Sequence, residues 1–538
     1  MILNRRFGLE EIKKVLVSDP LSNKGLEILA RAKSLKYDIK PGLSAEELKK
    51  IISEYDAIII RSETKLKAEI IEAADRLKVI GRAGIGLDNV DLPAATKKGI
   101  VVMNTPQENA IAAAEHTIAM VLSISRKIPQ ATSSMKAGKW EKKKFMGVEL
   151  YNKTFGIVGI GVIGSIVADR ARGLKMKVVA YDPYLSKEAA EKKGVDLVSL
   201  DELLSRSDFI SVHTPLTEET RNLIDKNAFR KMKQGVILIN CARGGIVNEK
   251  DLYDAIQGGK VAGAALDVFE KEPAVDNPLF ELEPVICTPH LGASTGEAQE
   301  NVSIAIAQQI VDYLMFGDAR NAVNIPMVSP DILPFLRPYL RLGEKLGSFL
   351  GQISNYAIEE VVIEYHGDVV EYGTKPITIS VLKGLLTPFV GETVNFVNAQ
   401  VMAKERGMKI TESTSAKAED FASLIAITAR SKMEENYIAG ALFGRKELRI
   451  VKLNDFFIEA IPEGYILLVN NYDRPGVIGN IGTTLGNKNI NIATMQFGRD
   501  RMGGNAISLL HLDAPLPPGV LGEILRLPNI ISVRQIEL

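Results

Sequence analysis

Short, unbroken apolar runs alternate with amphipathic stretches through the first half of the chain. VLVSDP (15–20), DAIIIRS (56–62), KVIGRAG (78–84) and IVVMNT (100–105) are each apolar over several consecutive residues and end in polar or turn-forming ones. That pattern predicts strands buried on both faces. The segments between them, such as SAEELKKIISEY (44–55), have helical spacing, and Ser44 is placed to cap the first turn. A second series begins at TFGIVGIGVIG (154–164). It continues through KVVAYD (177–182), FISVHT (209–214), VILINCA (236–242), GAALDVF (263–269) and VICTPH (285–290). Strands alternating with helices predict two doubly wound parallel sheets. The small-residue helix starting at Glu108 reads as an inter-domain or subunit contact. NVSIAIAQQIVDYLMFG (301–317) reads as a helix returning to the first domain, which makes that domain discontinuous.

The pattern changes after about residue 328, where Pro326, Pro330, Pro334 and Pro338 punctuate an expected linker. Helical segments mixed with EEVVIEYHG and RIVKLNDFFIEAI then predict an intervening α+β domain. From about 462 the order strand, helix, strand, strand, helix, strand gives a βαββαβ, ferredoxin-like unit. The expected division is 1–104 plus 303–328, 105–302, 329–460 and 461–538.

Composition narrows the function classes. The 538 residues carry 66 Lys+Arg against 66 Asp+Glu, so no global field selects nucleic acid or an anionic membrane, and any anion site must be local. Two cysteines, Cys241 and Cys287, fit a reducing, cytoplasmic setting, and no His/Cys cluster suggests a metal. The start, MILNRRFGLEEIKK, lacks the apolar core of a signal peptide, and no run is long enough for a membrane span.

GIGVIG places Gly159, Gly161 and Gly164 between a strand and a helix. The first glycine permits a tight turn, the second a close approach to a pyrophosphate, and the third close helix–strand packing. Asp182 follows about 20 residues past the glycine run, where a carboxylate can bind both ribose hydroxyls. Pro183 and Tyr184 after it offer no cation for a 2′-phosphate, so NAD is the expected cofactor rather than NADP. Arg243 in NCARGGIVNE, Glu272 in DVFEKEP and His290 in TPHLGAST follow later strands of the same sheet. A hydroxyacid oxidation needs a base of near-neutral pKa, a bidentate cation for a carboxylate and an acid to orient the base, which these three residue types supply. Glu270 rivals Glu272 for the last role.

In this order after GIGVIG, these motifs resemble the Arg–Glu–His set of the D-2-hydroxyacid dehydrogenases. RAGIGLDNVDLPAAT, MNTP, CARGG, ALDVF and HLGAST are similar to the phosphoglycerate-oxidising members. The resemblance implies that Arg243 orients the substrate, His290 is the acid/base and Glu272 pairs with it. It puts Asp267 near the nicotinamide carboxamide, and Val162, Ile163, Thr214, Pro215, Cys241, Ala242, Gly292 and Ala293 along the cofactor groove. It further implies 3-phospho-D-glycerate as substrate. The candidates for its distal phosphate are Arg61 and Arg82, at strand ends facing the cleft, with Asn109 at the start of the apolar helix. The resemblance adds Trp140, Lys142 and Lys143 in a basic segment that meets the neighbouring subunit of a dimer or tetramer. Val162 and Ile85 depart from the family, which often has Arg and Thr there. His116, His213, His366 and His511 match no catalytic motif. The tail resembles an ACT domain through NNYDRPGVIGNIGTTLGNKNINIATMQ, which implies L-serine bound by Asn471, Asp473 and Asn491 as a feedback effector. The rival expectations are a glyoxylate or hydroxypyruvate reductase and an NADH-sensing scaffold without turnover.

Overall fold

The computed structural model describes residues 12–326, 328–329, 331–417 and 421–538. The first 11 residues of the segment read for a signal peptide and Pro330 of the expected linker lie outside these residues.

Strands β1 (Lys13–Val17), β2 (Leu35–Ile39), β3 (Ala57–Ile60), β4 (Val79–Arg82) and β5 (Val101–Asn104) form a parallel sheet in the order β2-β1-β3-β4-β5. β3 is fully buried because helices cover both faces, and its AIII run has no polar face to show water. Ser44 caps the helix Ala45–Ile51 as expected, in a reciprocal capping box with Glu47. The edge strand β2 carries a mixed, partly exposed sequence, LKYDI, and its weak alternation leaves no clear strand signal.

β6 (Thr154–Val158), β7 (Lys177–Tyr181), β8 (Asp196–Leu197), β9 (Phe209–Val212), β10 (Val236–Asn240), β11 (Val261–Leu266) and β12 (Val285–Cys287) form the second parallel sheet. Their order is β12-β11-β10-β9-β6-β7-β8, so the winding reverses between β6 and β9. Ligands bind at such a switch point, outside the carboxyl ends of the strands. The chain passes from the first sheet to the second between Asn104 and Ala110. It returns between Gly292 and Gly296, where the helix Gly296–Phe316 begins and buries Val302, Ile306 and Ile310 in the core of the first sheet. Ala322 then bridges Met103 beside β5. The N-terminal unit is thus discontinuous, as the sequence predicts.

The proline-punctuated linker is shorter than expected. Pro334 lies in the first turn of the helix Leu333–Ile353 and Pro338 lies inside it. An early proline costs a helix little, because the first N–H groups have no partner anyway. Pro338 is tolerated because Leu336, Tyr339, Leu342, Leu346, Phe349 and Leu350 bury a continuous face. Each such side chain contributes about 1.5–3 kcal/mol on burial. RIVKLNDFFIEAI contains two strands in a hairpin. These are β17 (Glu447–Leu453) and β18 (Phe456–Ala460), the end of the intervening mixed sheet β14-β13-β15-β16-β17-β18. The other strands of that sheet are β13 (Glu360–Gly367), β14 (Lys409–Ser415), β15 (Ser423–Arg430) and β16 (Glu435–Phe443).

The tail has the expected βαββαβ order, with β19 (Tyr465–Tyr472), β20 (Ile492–Arg499), β21 (Asn505–Leu512) and β22 (Ile530–Glu537) paired antiparallel as β20-β21-β19-β22. Among the described residues, no helix is long and apolar enough to cross a membrane, and no group of His, Cys, Asp and Glu is arranged to hold a metal ion.

Candidate active site

β6 ends at Val158, and Gly159 turns the chain at φ +94°. A Cβ there would lie 2.8 Å from the His213 carbonyl oxygen, and one on Gly164 would lie 2.1 Å from the Gly159 oxygen. Only glycine therefore lets the helix Val162–Gly173 start this close to the sheet. Gly161 precedes that helix, faces open space and has no side-chain cap, so the first-turn N–H groups are offered to a ligand. Val162 is exposed beside it, Ile163 is half-buried, and Gly164 is buried.

At the end of β7, Asp182 accepts the Ile160 N–H at 3.0 Å and the Tyr184 N–H at 3.0 Å. The carboxylate is thus fixed beside the glycine turn. On the opposite side of the switch point, the buried Thr214 Oγ1 has no partner among the described residues, and Pro215 next to it is exposed. An open helix start, a fixed carboxylate and an orphaned hydroxyl fit the pyrophosphate and ribose of a dinucleotide. His213, directly behind the turn, is buried enough to bring its imidazole down to about 4. Burial likewise pushes the Cys241 thiol up to about 12, so it is packing, not a nucleophile.

The loops after β10, β11 and β12 assemble the reactive groups. His290 sits at φ +56°, where its N–H donates to the Asp267 carbonyl at 2.9 Å. Its Nδ1–H donates to Glu272 Oε2 at 2.8 Å. The other Glu272 oxygen accepts the Phe269 N–H at 3.1 Å. Burial raises the Glu272 carboxyl, but the hydrogen bonds from His290 and Phe269 and the His290 and Arg243 charges outweigh it and leave it below its ordinary value. An ionised carboxylate only accepts, so Nδ1 carries the proton and the Nε2 lone pair is free to act as a base. Of the two rivals it is Glu272 that His290 meets, while Glu270 is exposed and its backbone N–H donates to Glu249.

Asp267 is fully buried. Its oxygens accept Thr288 Oγ1 at 2.6 Å, the Leu291 N–H at 2.7 Å and the Gly292 N–H at 2.9 Å. His116 Nε2 lies 3.2 Å from the same carboxylate and 3.1 Å from Thr288 Oγ1. Burial raises the Asp267 carboxyl, and the His116, Thr288 and Leu291 hydrogen bonds overcome that rise and hold it low. Its visible work is to tie down the turn that carries His290, with Ala293 half-buried just beyond. His116 matches no catalytic motif, yet it is not merely packed. It belongs to this network, and a lone histidine on an apolar helix gives no spacing signal for a partner 172 positions away.

Arg243 crosses the cleft between the two sheets. Its Nε donates to Asp88 Oδ2 at 3.1 Å and its Nη1 to the Ala242 carbonyl at 2.7 Å. Arg82, at the end of β4, has a buried Nε without a partner among the described residues. Its burial, reinforced by the Arg243 and Arg61 charges and opposed by Asp88 and Asp19, brings its guanidinium down to about 10. Arg61 lies in a turn held by Asp19, which accepts the Arg61 N–H at 2.5 Å. Asn109 is buried with an unpartnered Oδ1 at the start of the helix Ala110–Ser125. Three arginines lying close to one another suit a small, multiply charged anion.

Trp140 is 81% exposed, and Lys142 and Lys143 are exposed beside it, with no contact to the cleft within one chain. The three effector candidates do not form one pocket in a single chain either. Asp473 accepts Arg499 Nη1 and the Gly503 N–H, each at 3.0 Å, just past the end of β19. Asn491 donates to Asp513 Oδ2 at 2.8 Å, beyond the opposite end of that strand, where Leu512 pairs with Tyr465. Eight strand residues separate the two by about 24 Å. Asn471 is fully buried and its amide donates to the Tyr472 carbonyl.

Residues 118–292 match the family model described as D-isomer specific 2-hydroxyacid dehydrogenase, NAD binding domain. Residues 335–454 match the D-3-phosphoglycerate dehydrogenase intervening domain. The chain is 47% identical over 526 residues to a Synechocystis protein named D-3-phosphoglycerate dehydrogenase, covering 98% of this chain and 95% of that one. It is 47% identical over 532 residues to an Archaeoglobus fulgidus protein of the same name, covering 98% of this chain and 100% of that one. Among solved structures it is similar to D-lactate dehydrogenase from Aquifex aeolicus complexed with NAD and lactic acid. That likeness has TM-score 0.53 and 31% identity, and spans 59% of this chain and 100% of the other.

Proposed function

The chain belongs to the D-3-phosphoglycerate dehydrogenase family of NAD-dependent 2-hydroxyacid dehydrogenases, and from that premise we propose how its residues divide the reaction. The substrate is 3-phospho-D-glycerate and the product 3-phosphohydroxypyruvate, the entry to phosphorylated serine synthesis. Bound NAD supplies the acceptor for the C2 hydride. Gly159, Gly161, Val162, Ile163 and Gly164 hold its pyrophosphate, Asp182 its ribose, and Thr214, Pro215, Cys241, Ala242, Gly292 and Ala293 the rest of the groove. Asp267 acts on the nicotinamide side of the groove by ordering the Leu291–Gly292 turn. His290 Nε2 takes the C2 hydroxyl proton, and Glu272 neutralises the imidazolium that forms. Arg243 aligns the carboxylate and the C2 oxygen. Arg61, Arg82 and Asn109 receive the phosphorylated end, completed by Trp140, Lys142 and Lys143 of a second subunit.

The observation that carries this reading is the His290–Glu272 pair, 2.8 Å apart, facing a cleft ringed by Arg61, Arg82 and Arg243. The domains are 1–104 with 303–328, 105–302, 329–460 and 461–538. The last of these is an ACT unit that pairs with a second copy, since Asp473 and Asn491 can reach one amino acid only if two chains contribute. L-serine bound there feeds back on a homodimer or homotetramer.

Steady-state NADH formation with 3-phosphoglycerate, D-glycerate and D-lactate, each with and without L-serine, tests the reading. A strong kcat/KM preference for the phosphorylated acid supports the arginine-ringed pocket. Equal rates with D-glycerate refute it, and serine insensitivity refutes the effector role.

A further inference from the structure

The loop between β4 and the helix Leu92–Lys97 contacts each arginine of the cluster. Asn89 Nδ2 donates to the carbonyl oxygens of Arg61 and Thr64, each at 2.6 Å, and so fixes the turn that presents Arg61. Arg82 Nη1 folds against Gly84, where a Cβ would lie 1.7 Å from it. Gly86 faces Arg243, and a Cβ on it would lie 2.0 Å from Arg243 Nη2. Asp88 takes Arg243 Nε at 3.1 Å. One short loop of the first unit thus touches all three arginines, and one of those belongs to the second unit.

The way Asp88 holds Arg243 is the informative part. Arg–carboxylate pairs frequently take two nitrogens in parallel, fork to fork. Here Nε goes to Asp88, Nη1 goes to the chain's own Ala242 carbonyl, and Nη2 has no partner among the described residues. Nη2 lies over Gly86, a loop position that has no side chain to cover it. The guanidinium is therefore held by two of its corners, with the third left to a ligand. Asp88 is itself 65% exposed, so its carboxylate is not required by the fold core.

We propose that Asp88 is a positioning residue that docks Arg243 from across the cleft, so that Nη2 meets the substrate carboxylate only when the two units are together. The proposal rests on Arg243 being the carboxylate ligand. It assigns to Asp88 the coupling of closure to substrate alignment, a proximity effect in which a misplaced cation lowers rate without abolishing chemistry.

Asp88→Asn and Asp88→Glu, Arg243→Lys and the double variant Asp88→Asn/Arg243→Lys test it in the full-length protein. The readouts are kcat and KM for 3-phosphoglycerate and the NAD dissociation constant from fluorescence. Asp88→Asn is expected to raise KM for 3-phosphoglycerate about tenfold and lower kcat several-fold, with NAD affinity unchanged. Asp88→Glu should recover part of that loss. In the Arg243→Lys background, which lacks the Nε donor, Asp88→Asn should add almost nothing, the non-additivity expected of residues acting through one contact. A lower KM in Asp88→Asn would make Asp88 a competitor of the substrate and overturn the proposal, as would fully additive losses in the double variant. Full activity in Arg243→Lys would instead overturn the assignment of Arg243 on which the proposal rests.

Discussion

His290 Nδ1 and Glu272 Oε2 meet at 2.8 Å although 18 positions separate them, and the contact fixes which imidazole nitrogen faces the cleft. Glu272→Gln keeps the shape but offers an amide that no longer compels the Nδ1 proton. kcat should fall on the order of 100-fold at neutral pH with little change in NAD affinity. The sign for acid follows from the direction of the shift. The Glu272 carboxyl lies below 4.5 in the folded protein, so its stabilising contribution is complete above that value and is lost as pH falls through the lowered one. Urea midpoints of wild type and Glu272→Gln should therefore converge as the pH falls below the ordinary carboxyl value.

Two backbone N–H groups converge on Asp182, so the ribose-binding role proposed for it is tested beside a structural one. Asp182→Ala should weaken NAD by about 10- to 100-fold, the loss of one or two charge-assisted hydrogen bonds. Titration followed by nicotinamide fluorescence measures it. An unchanged dissociation constant would remove Asp182 from the ribose site.

Arg82 is a desolvated cation with an unpartnered Nε. Arg82→Gln should raise KM for 3-phosphoglycerate more than tenfold while costing D-glycerate far less. The preference for the phosphorylated acid then shrinks. Equal losses for both acids would place Arg82 at the carboxylate end.

His213 is held neutral by burial, its imidazole near 4 against an ordinary 6.5. Between those values the unfolded chain binds a proton that the folded chain refuses, so stability is lost as pH falls from about 6.5 to 4 and levels off below. His213→Gln should flatten that part of the stability profile, as thermal melts at stepped pH would show. Ser211 Oγ, 2.9 Å from Nε2, can hydrogen-bond to the replacement amide.

The parts of this molecule legible in the sequence are those imposed by local backbone demands. Gly159 and Gly164 could be read because no side chain fits where they stand, and Ser44 because a helix start wants an acceptor. The buried strands showed themselves as apolar runs, whereas β2, at an edge, has no such run. Pro338 misled because a proline reads as punctuation until the packed face around it is known. The contacts of Asp88 and His116 left no trace. Their partners lie 155 and 151 positions away, and only the winding of two sheets brings them together. Trp140, Lys142 and Lys143 stand exposed in a single chain, so the substrate role proposed for them rests on resemblance.

The two passages of the chain between the sheets, after Asn104 and before Gly296, act on the cleft like the two pins of a door. A single tether would let one half spin or slide against the other. Two leave chiefly a swing about the line that joins them. Asp88 and Arg243 then share one angular coordinate with every other pair that faces across the gap. Shortening or stiffening either passage should change how often all of those pairs meet, without altering any of them.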